Sequence, residues 1–383
     1  MELEKLRKLH PHHWEKANAI RVLTLDAVAA ANSGHSGMPI GMADVATILF
    51  EKHLKFSTAQ PNWPDRDRFI LSAGHGSMLL YSIAYLCGYA DFDIDQLKNF
   101  RQLGKKTAGH PENFLSDVIE TTTGPLGQGI ANSVGFAIAE ESLRARFGRN
   151  IIDHHTFVIA GDGCLMEGVS QEAISLAGHL RLHKLIVFWD NNNITIDGTV
   201  DLTDSTDQKT RFEASGWEVI EIDGHDPEEI DSAISAAKKS EKPTMIACKT
   251  HIAIGTAAQD TSKGHGALTD PELIKNAREV YQWSHKPFDI PKSIKEQWEQ
   301  AGLEGHKAFK RWQSNLENLS NSKRKEFERI FSGDAPKKLT SAIRKFKKES
   351  SAALPTIATR KSSELTLNAV NSIMQETIGG SAD

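Results

Sequence analysis

The stretch Thr156-Phe157-Val158-Ile159-Ala160-Gly161-Asp162-Gly163, followed after 28 further residues by Asn192-Asn193, decides how this chain folds. Each half ends an apolar run, and the second run is Leu185-Ile186-Val187-Phe188-Trp189. Short runs of β-branched and aromatic residues closed by Gly and Asn read as strands. A carboxylate and a carboxamide therefore stand at the carboxyl ends of two parallel strands, the edge of an open α/β sheet at which ligands bind. Asp162 and Asn192 offer hard oxygen ligands, which suit Mg²⁺ or Ca²⁺. Mg²⁺ held by few protein groups takes its remaining ligands from phosphates and water, so the spacing implies a diphosphate cofactor docked through a metal. Gly-Asp-Gly alone is an ordinary turn, and Asn-Asn an ordinary loop dipeptide. Their pairing behind two strands is what carries the reading.

Outward from this pair, strands and helices alternate. Residues 18–31 and 43–53 have helical spacing, 68–72 form a short strand, and Gly74-His75-Gly76-Ser77 opens a helix over 78–87. Helices over 130–144 and 170–180 flank the first motif strand, and 217–222 and 244–249 read as further strands. This alternation predicts an α/β fold, a doubly wound parallel sheet with helices on both faces. Beyond residue 287, Lys, Glu and Gln dominate with apolar residues at helical spacing, as in solvated amphipathic helices. Leu354-Pro355 reads as a linker, 363–375 as a helix, and 378–383 as the start of a strand and turn.

The chain has 383 residues, a formal net charge of −5, 39% hydrophobic and 25% charged residues, so it is expected to be globular. Acidic and basic residues are interspersed, which argues against nucleic acid as a partner, and no run reaches membrane-spanning length. The first ten residues are charged and lack an apolar signal core. Cys87, Cys164 and Cys248 are widely spaced, which fits a reducing cytoplasm rather than a disulfide framework or structural zinc. Cys164 abuts the motif but reads as a buried, inert thiol.

Thr123-Gly124-Pro125-Leu126-Gly127-Gln128-Gly129 precedes a helix, so its backbone N–H groups could approach an anion at a helix N-terminus; a tight packing turn is the equal alternative. Four histidines sit in glycine-flanked loops: His35, His75, His110 and His265. Neutral imidazoles donate and accept hydrogen bonds and shuttle protons near neutral pH, which suits the hydroxyls and carbonyl of a sugar phosphate. No His-x-x-x-His pair supports a plain metal hydrolase. His10, His12, His13, His154 and His155 lack such settings and read as surface residues. Glu167 and Glu172 read as helix charges.

Together these segments resemble the transketolase family, over residues 13–383. The carrying segments are 32–37, 72–77, 109–112, 121–129, 161–168, 190–198, Arg360-Lys361 and the ending Gly379-Gly380-Ser381-Ala382-Asp383. The resemblance implies a sheet of the thiamine-diphosphate-binding type and two-carbon ketol transfer between sugar phosphates, such as xylulose 5-phosphate to ribose 5-phosphate or erythrose 4-phosphate, in the pentose phosphate pathway. It implies thiamine diphosphate with Mg²⁺ or Ca²⁺ held by Asp162, Asn192 and the Ile194 carbonyl. His75, Gly124, Pro125, Leu126, Gly163, Asn192 and His265 would hold the cofactor, with Asp383 near its thiazolium ring. His35 and His265 would act in proton transfer beside the reacting carbon; together with His110 on the donor sugar and Arg360 on its phosphate they would make up the substrate contacts. A homodimer with the site between subunits follows from the same resemblance. Glycine-framed His110 and Arg360 favour this family over deoxyxylulose-phosphate synthase or a ketoacid dehydrogenase subunit, and a non-catalytic cofactor-binding fragment is the reading of a different class.

The resemblance divides the chain into a diphosphate domain over 1–286, a helical extension and linker over 287–355, and the start of a truncated pyrimidine domain over 356–383. On that division the sequence is the retained part of a longer enzyme. Two departures stand out. Ser36 follows His35 where the family usually has proline, and is expected to loosen that loop. Residues 249–264 depart from the common family loop, which bears on acceptor preference.

Overall fold

The computed structural model describes residues 1–380. Five strands, β1 (Arg68–Leu71), β2 (Thr156–Gly161), β3 (Leu185–Asn191), β4 (Glu218–Asp223) and β5 (Thr244–Lys249), form one sheet in the order β1-β2-β3-β5-β4. Every neighbouring pair is parallel, as the βαβ alternation predicts. β2, β3 and β5 are almost continuously apolar and buried because helices cover both faces. Phe157, Val158, Ile159, Val187 and Phe188 are wholly buried, each contributing roughly 1.5–3 kcal/mol of hydrophobic stabilisation. β4, at the edge, carries Glu218 and Glu221 to solvent.

The register positions the site. Gly161 pairs with Asp190, and Asp190 pairs with Cys248, so β2, β3 and β5 end level. Asp162 and Asn192 leave the sheet at the same edge. The helix Gln128–Phe147 returns the chain from β1 to β2, and Gly168–His179 from β2 to β3. Pro227–Ala237 joins β4 to β5; Pro227 occupies its first turn and the Asp226 carboxylate accepts from the Glu228 and Glu229 N–H groups.

The helix expected over 18–31 starts earlier, at Pro11, and runs to Ala31, with His13, Trp14 and every residue from 16 to 28 buried. His13, expected at the surface, is therefore inside. Its Nε2 lies 2.9 Å from Asp44 Oδ1, while His225 Nδ1 lies 2.8 Å from Asp44 Oδ2 and Arg21 also donates to Oδ2. Burial alone would raise the Asp44 pKa; the Arg21 charge and the His13 and His225 hydrogen bonds outweigh it and hold the carboxyl well below its usual range. His154 is a second correction: it is buried, with Nδ1 3.4 Å from Asp65. Asp65 also accepts from the Asp153 N–H, and Asp67 from the His155 N–H, so this carboxylate pair satisfies the backbone where β2 begins. Charge in the sequence disguised these residues as surface ones.

The chain divides into two compact units, residues 1–141 with 153–311, and residues 142–152 with 312 onward. The first holds the sheet. In the second, the helices Asn321–Phe331, Leu339–Ala353 and Thr359–Asn371 are largely solvated, as their composition predicts. Phe327 is buried there against Phe147, with ring centroids 5.2 Å apart, and Trp312 Nε1 donates to the Ile151 carbonyl at 2.8 Å. The strand expected from residue 378 does not form over 378–380, which have no partner strand; residues 381–383 lie outside the described residues.

Asp44→Asn leaves the Arg21 guanidinium buried without its countercharge. Urea unfolding followed by tryptophan fluorescence should show a loss of about 3–5 kcal/mol; an unchanged midpoint would contradict the role given to this network.

Candidate active site at the carboxyl edge of the sheet

A cavity of about 310 Å³ opens at the carboxyl ends of β2 and β3. Its lining includes His35, His75, His110, Gly124, Leu126, Asp162, Gly163, Asn192, Ile194 and His265, which come from seven separate stretches of the sequence. Pro125 stands between two lining residues without being one of them. Arg360 belongs to the second unit and is exposed on Thr359–Asn371. Asp383 lies outside the described residues.

The oxygen-rich floor is built by the strand ends. Asp162 Oδ1 accepts from Trp189 Nε1 at 2.9 Å, while its buried Oδ2 has no hydrogen-bond partner among the described residues. Burial raises the Asp162 carboxyl to about 6. Asp190, wholly buried beside it, is raised to about 7, again by burial first. Its oxygens accept from Thr250 Oγ1 and, at 2.9 Å, from Asn192 Nδ2. Asn192 Oδ1 in turn accepts from the Ile194 N–H at 2.9 Å, which fixes the amide orientation and the turn through Asn193. A buried carboxylate with one unsatisfied oxygen gains most from a cation, which would also pull its pKa back down. Among the described residues no three His, Cys, Asp or Glu side chains are grouped to hold a metal by themselves. The donor set thus fits a hard divalent ion that brings oxygen ligands of its own.

Above this floor three imidazoles meet. His75 and His265 stack with centroids 4.9 Å apart and planes at 21°, and His35 meets them edge-on at 5.1 and 5.5 Å. Burial first, then the mutual repulsion of the rings, lowers His35 to about 4 and His75 to about 3. Burial lowers His265 and His110 as well. The rings are therefore neutral at physiological pH, and the buried His35 Nδ1 has no partner among the described residues. Neutral imidazoles in this state can donate to, or accept from, hydroxyl and carbonyl groups of a ligand.

The turn before the helix Gln128–Phe147 completes the wall. Gly124 has φ +141°, and a Cβ there would lie 3.1 Å from the His110 ring, so glycine both permits the backbone and leaves room for the imidazole. Several lining residues carry no role in the sequence reading, Asp190 and Ile252 among them. Asp190 was quoted within the motif without a role, although its position at the end of β3 is the signal that singled out Asn192. Ile252 lines the cavity from the loop after β5, and nothing in its local sequence marks it.

Comparison with known proteins gives one consistent result. The family model described as "Transketolase, thiamine diphosphate binding domain" matches residues 12–336. The chain is similar to the transketolase of Rhodobacter capsulatus, at 57% identity over 384 residues, covering 100% of this chain and 57% of that protein. Against transketolase 2 of Escherichia coli the identity is 48% over 376 residues, covering 96% and 56%. Among solved structures it is similar to the Pichia stipitis transketolase complex with sedoheptulose-7-phosphate, with TM-score 0.89, 39% identity, and 97% and 56% of the two chains covered. The transketolase from Leishmania mexicana gives TM-score 0.87 at 39% identity, covering 94% and 54%. The chain spans a little over half the length of the curated relatives it matches.

The buried rings have a consequence for pH. The unfolded chain protonates its histidines near 6.5, whereas folded His75 resists protonation down to about 3. Its share of stability is complete above about pH 6.5 and is lost as the pH falls toward 3, because there the unfolded state binds the extra proton. Ring-resolved NMR should find the His75 signals unmoved between pH 8 and 5; a midpoint near 6.5 would contradict the packing described.

Proposed function

The chain belongs to the transketolase family, and from that premise we propose that it carries the diphosphate half of a site for reversible two-carbon ketol transfer between sugar phosphates. The donor would be a ketose phosphate such as xylulose 5-phosphate, and the acceptor an aldose phosphate such as ribose 5-phosphate or erythrose 4-phosphate. The observation that carries this reading is the convergence of an unsatisfied buried carboxylate, Asp162, with three neutral imidazoles on one cavity.

Asp162, Asn192 and the Ile194 carbonyl would hold Mg²⁺ or Ca²⁺ together with diphosphate oxygens. Residues 124–126, His75 and Gly163 would cradle the rest of the diphosphate end, helped by the start of the helix Gln128–Phe147. Thiamine diphosphate, when bound, supplies the carbanion and electron sink that cleavage of a ketose requires. The protein's own work is placement and proton handling. His265 and His35, neutral and facing each other, can take a proton from a donor hydroxyl and return it to the acceptor product. His110, at the cavity wall, would hold a donor hydroxyl. Arg360 would meet the terminal phosphate, for which its forked guanidinium is suited, and Asp383 would stand near the thiazolium. A homodimer with the site between subunits belongs to the same reading. So does a cytoplasmic location, which the three buried, unpaired cysteines favour.

The protein as the cell makes it, supplied with Mg²⁺, thiamine diphosphate, xylulose 5-phosphate and ribose 5-phosphate, should form sedoheptulose 7-phosphate. His265→Ala and His35→Ala should each lower kcat by about 10²–10⁴-fold. Absence of the seven-carbon product from the unaltered enzyme would overturn the proposal.

A further inference from the structure

Proline was the residue expected after His35, and its replacement by Ser36 was expected to loosen the loop. The structure gives the opposite. Ser36 is wholly buried. Its backbone N–H, which a proline lacks, donates to the Gly266 carbonyl at 2.9 Å. Its Oγ accepts from the Leu268 N–H at 3.2 Å. Ser36 directly follows one cavity imidazole, and Gly266 directly follows the other, His265. Both bonds therefore run between the two histidine-bearing loops, which are some 230 residues apart in sequence.

The surrounding contacts make this tie specific. The Ala253 N–H donates to the Gly37 carbonyl at 3.1 Å, tying the residue after Ser36 to an earlier part of the stretch that follows β5. A Cβ on Gly37 would lie 2.2 Å from the Gly264 carbonyl oxygen, so the backbones approach as closely as glycine allows. His35 and His265 then stand perpendicular, with centroids 5.5 Å apart. Ser36 makes no contact with the cavity, so it can act only through the loops it joins.

We infer that Ser36 is a positioning residue that couples the loop of His35 to the loop of His265 and sets the mutual geometry of the two imidazoles. The inference rests on the reading of those two rings as the proton-handling groups. A hydrogen bond lost here loosens one tie between the two loops, and misplacing a catalytic group by about 1 Å can cost about 10²-fold in rate.

The test uses the full-length holoenzyme and its Ser36→Ala variant, which removes only the Oγ acceptor. Nuclear Overhauser contacts between the ring protons of His35 and His265, in protein with isotopically labelled histidine, report the geometry without requiring turnover. Ser36→Ala should weaken the cross-peak and lower kcat about fivefold, with KM for the ketose donor changed far less. An unchanged cross-peak and kcat in Ser36→Ala would overturn the inference, even if its melting temperature fell. A weakened cross-peak in a protein without ketol transfer would sustain the coupling while removing the proposed function.

Discussion

A carboxylate buried with one oxygen unsatisfied is costly, and Asp162 is such a group. The rest of the site is arranged around it. The Trp189 indole satisfies Oδ1, leaving Oδ2 without a partner among the described residues, the atom that a cation would complete under the proposed function. Asp190 beside it, raised to about 7 by burial, is held in place by Thr250 and Asn192. A site of this kind stores affinity for a cation in the folded chain before any ligand arrives.

The fold provides that site through register. Because β2, β3 and β5 end level, three loops meet at one edge, and the cavity needs no long-range adjustment to bring Asp162 and Asn192 together. The histidines reach the same edge from elsewhere: His35 from the end of a buried helix, His75 from the turn after β1, and His265 from the loop after β5. Burial, and after it their packing against one another, keeps them uncharged, so no cationic cluster forms at this edge. Hydrogen bonds between loops, such as those of Ser36, do for the histidines what strand pairing does for the carboxylate.

Much of this was legible in the sequence. The strands β2 and β3, their parallel pairing and the place of Asp162 and Asn192 on one cavity followed from apolar runs closed by Gly-Asp-Gly and Asn-Asn. The four loop histidines were legible through their glycines. What escaped was set by tertiary contact. His13 and His154 look solvated in sequence, and only packing reveals the carboxylates that receive them. Ile252 reaches the cavity because of a loop path that no local pattern encodes. Ser36 was misjudged because a lost proline was weighed as lost stiffness, without the N–H that its absence restores. The helices Leu3–Leu9 and Pro271–Val280 went unassigned although their apolar residues, Leu3 and Leu6 in one and Leu273, Ile274, Ala277 and Val280 in the other, stand at helical spacing.

The central claim is that Asp162 is the metal anchor of a diphosphate site. Calorimetric titration with thiamine diphosphate in the presence of Ca²⁺, on the unaltered protein and on Asp162→Asn, tests it most directly. Asparagine keeps the shape and removes the charge. Changes even outside the first ligand shell of a metal site cost about 10–100-fold in affinity, so a loss of at least ~10-fold is the result this account predicts. Equal affinity in the two proteins would contradict it.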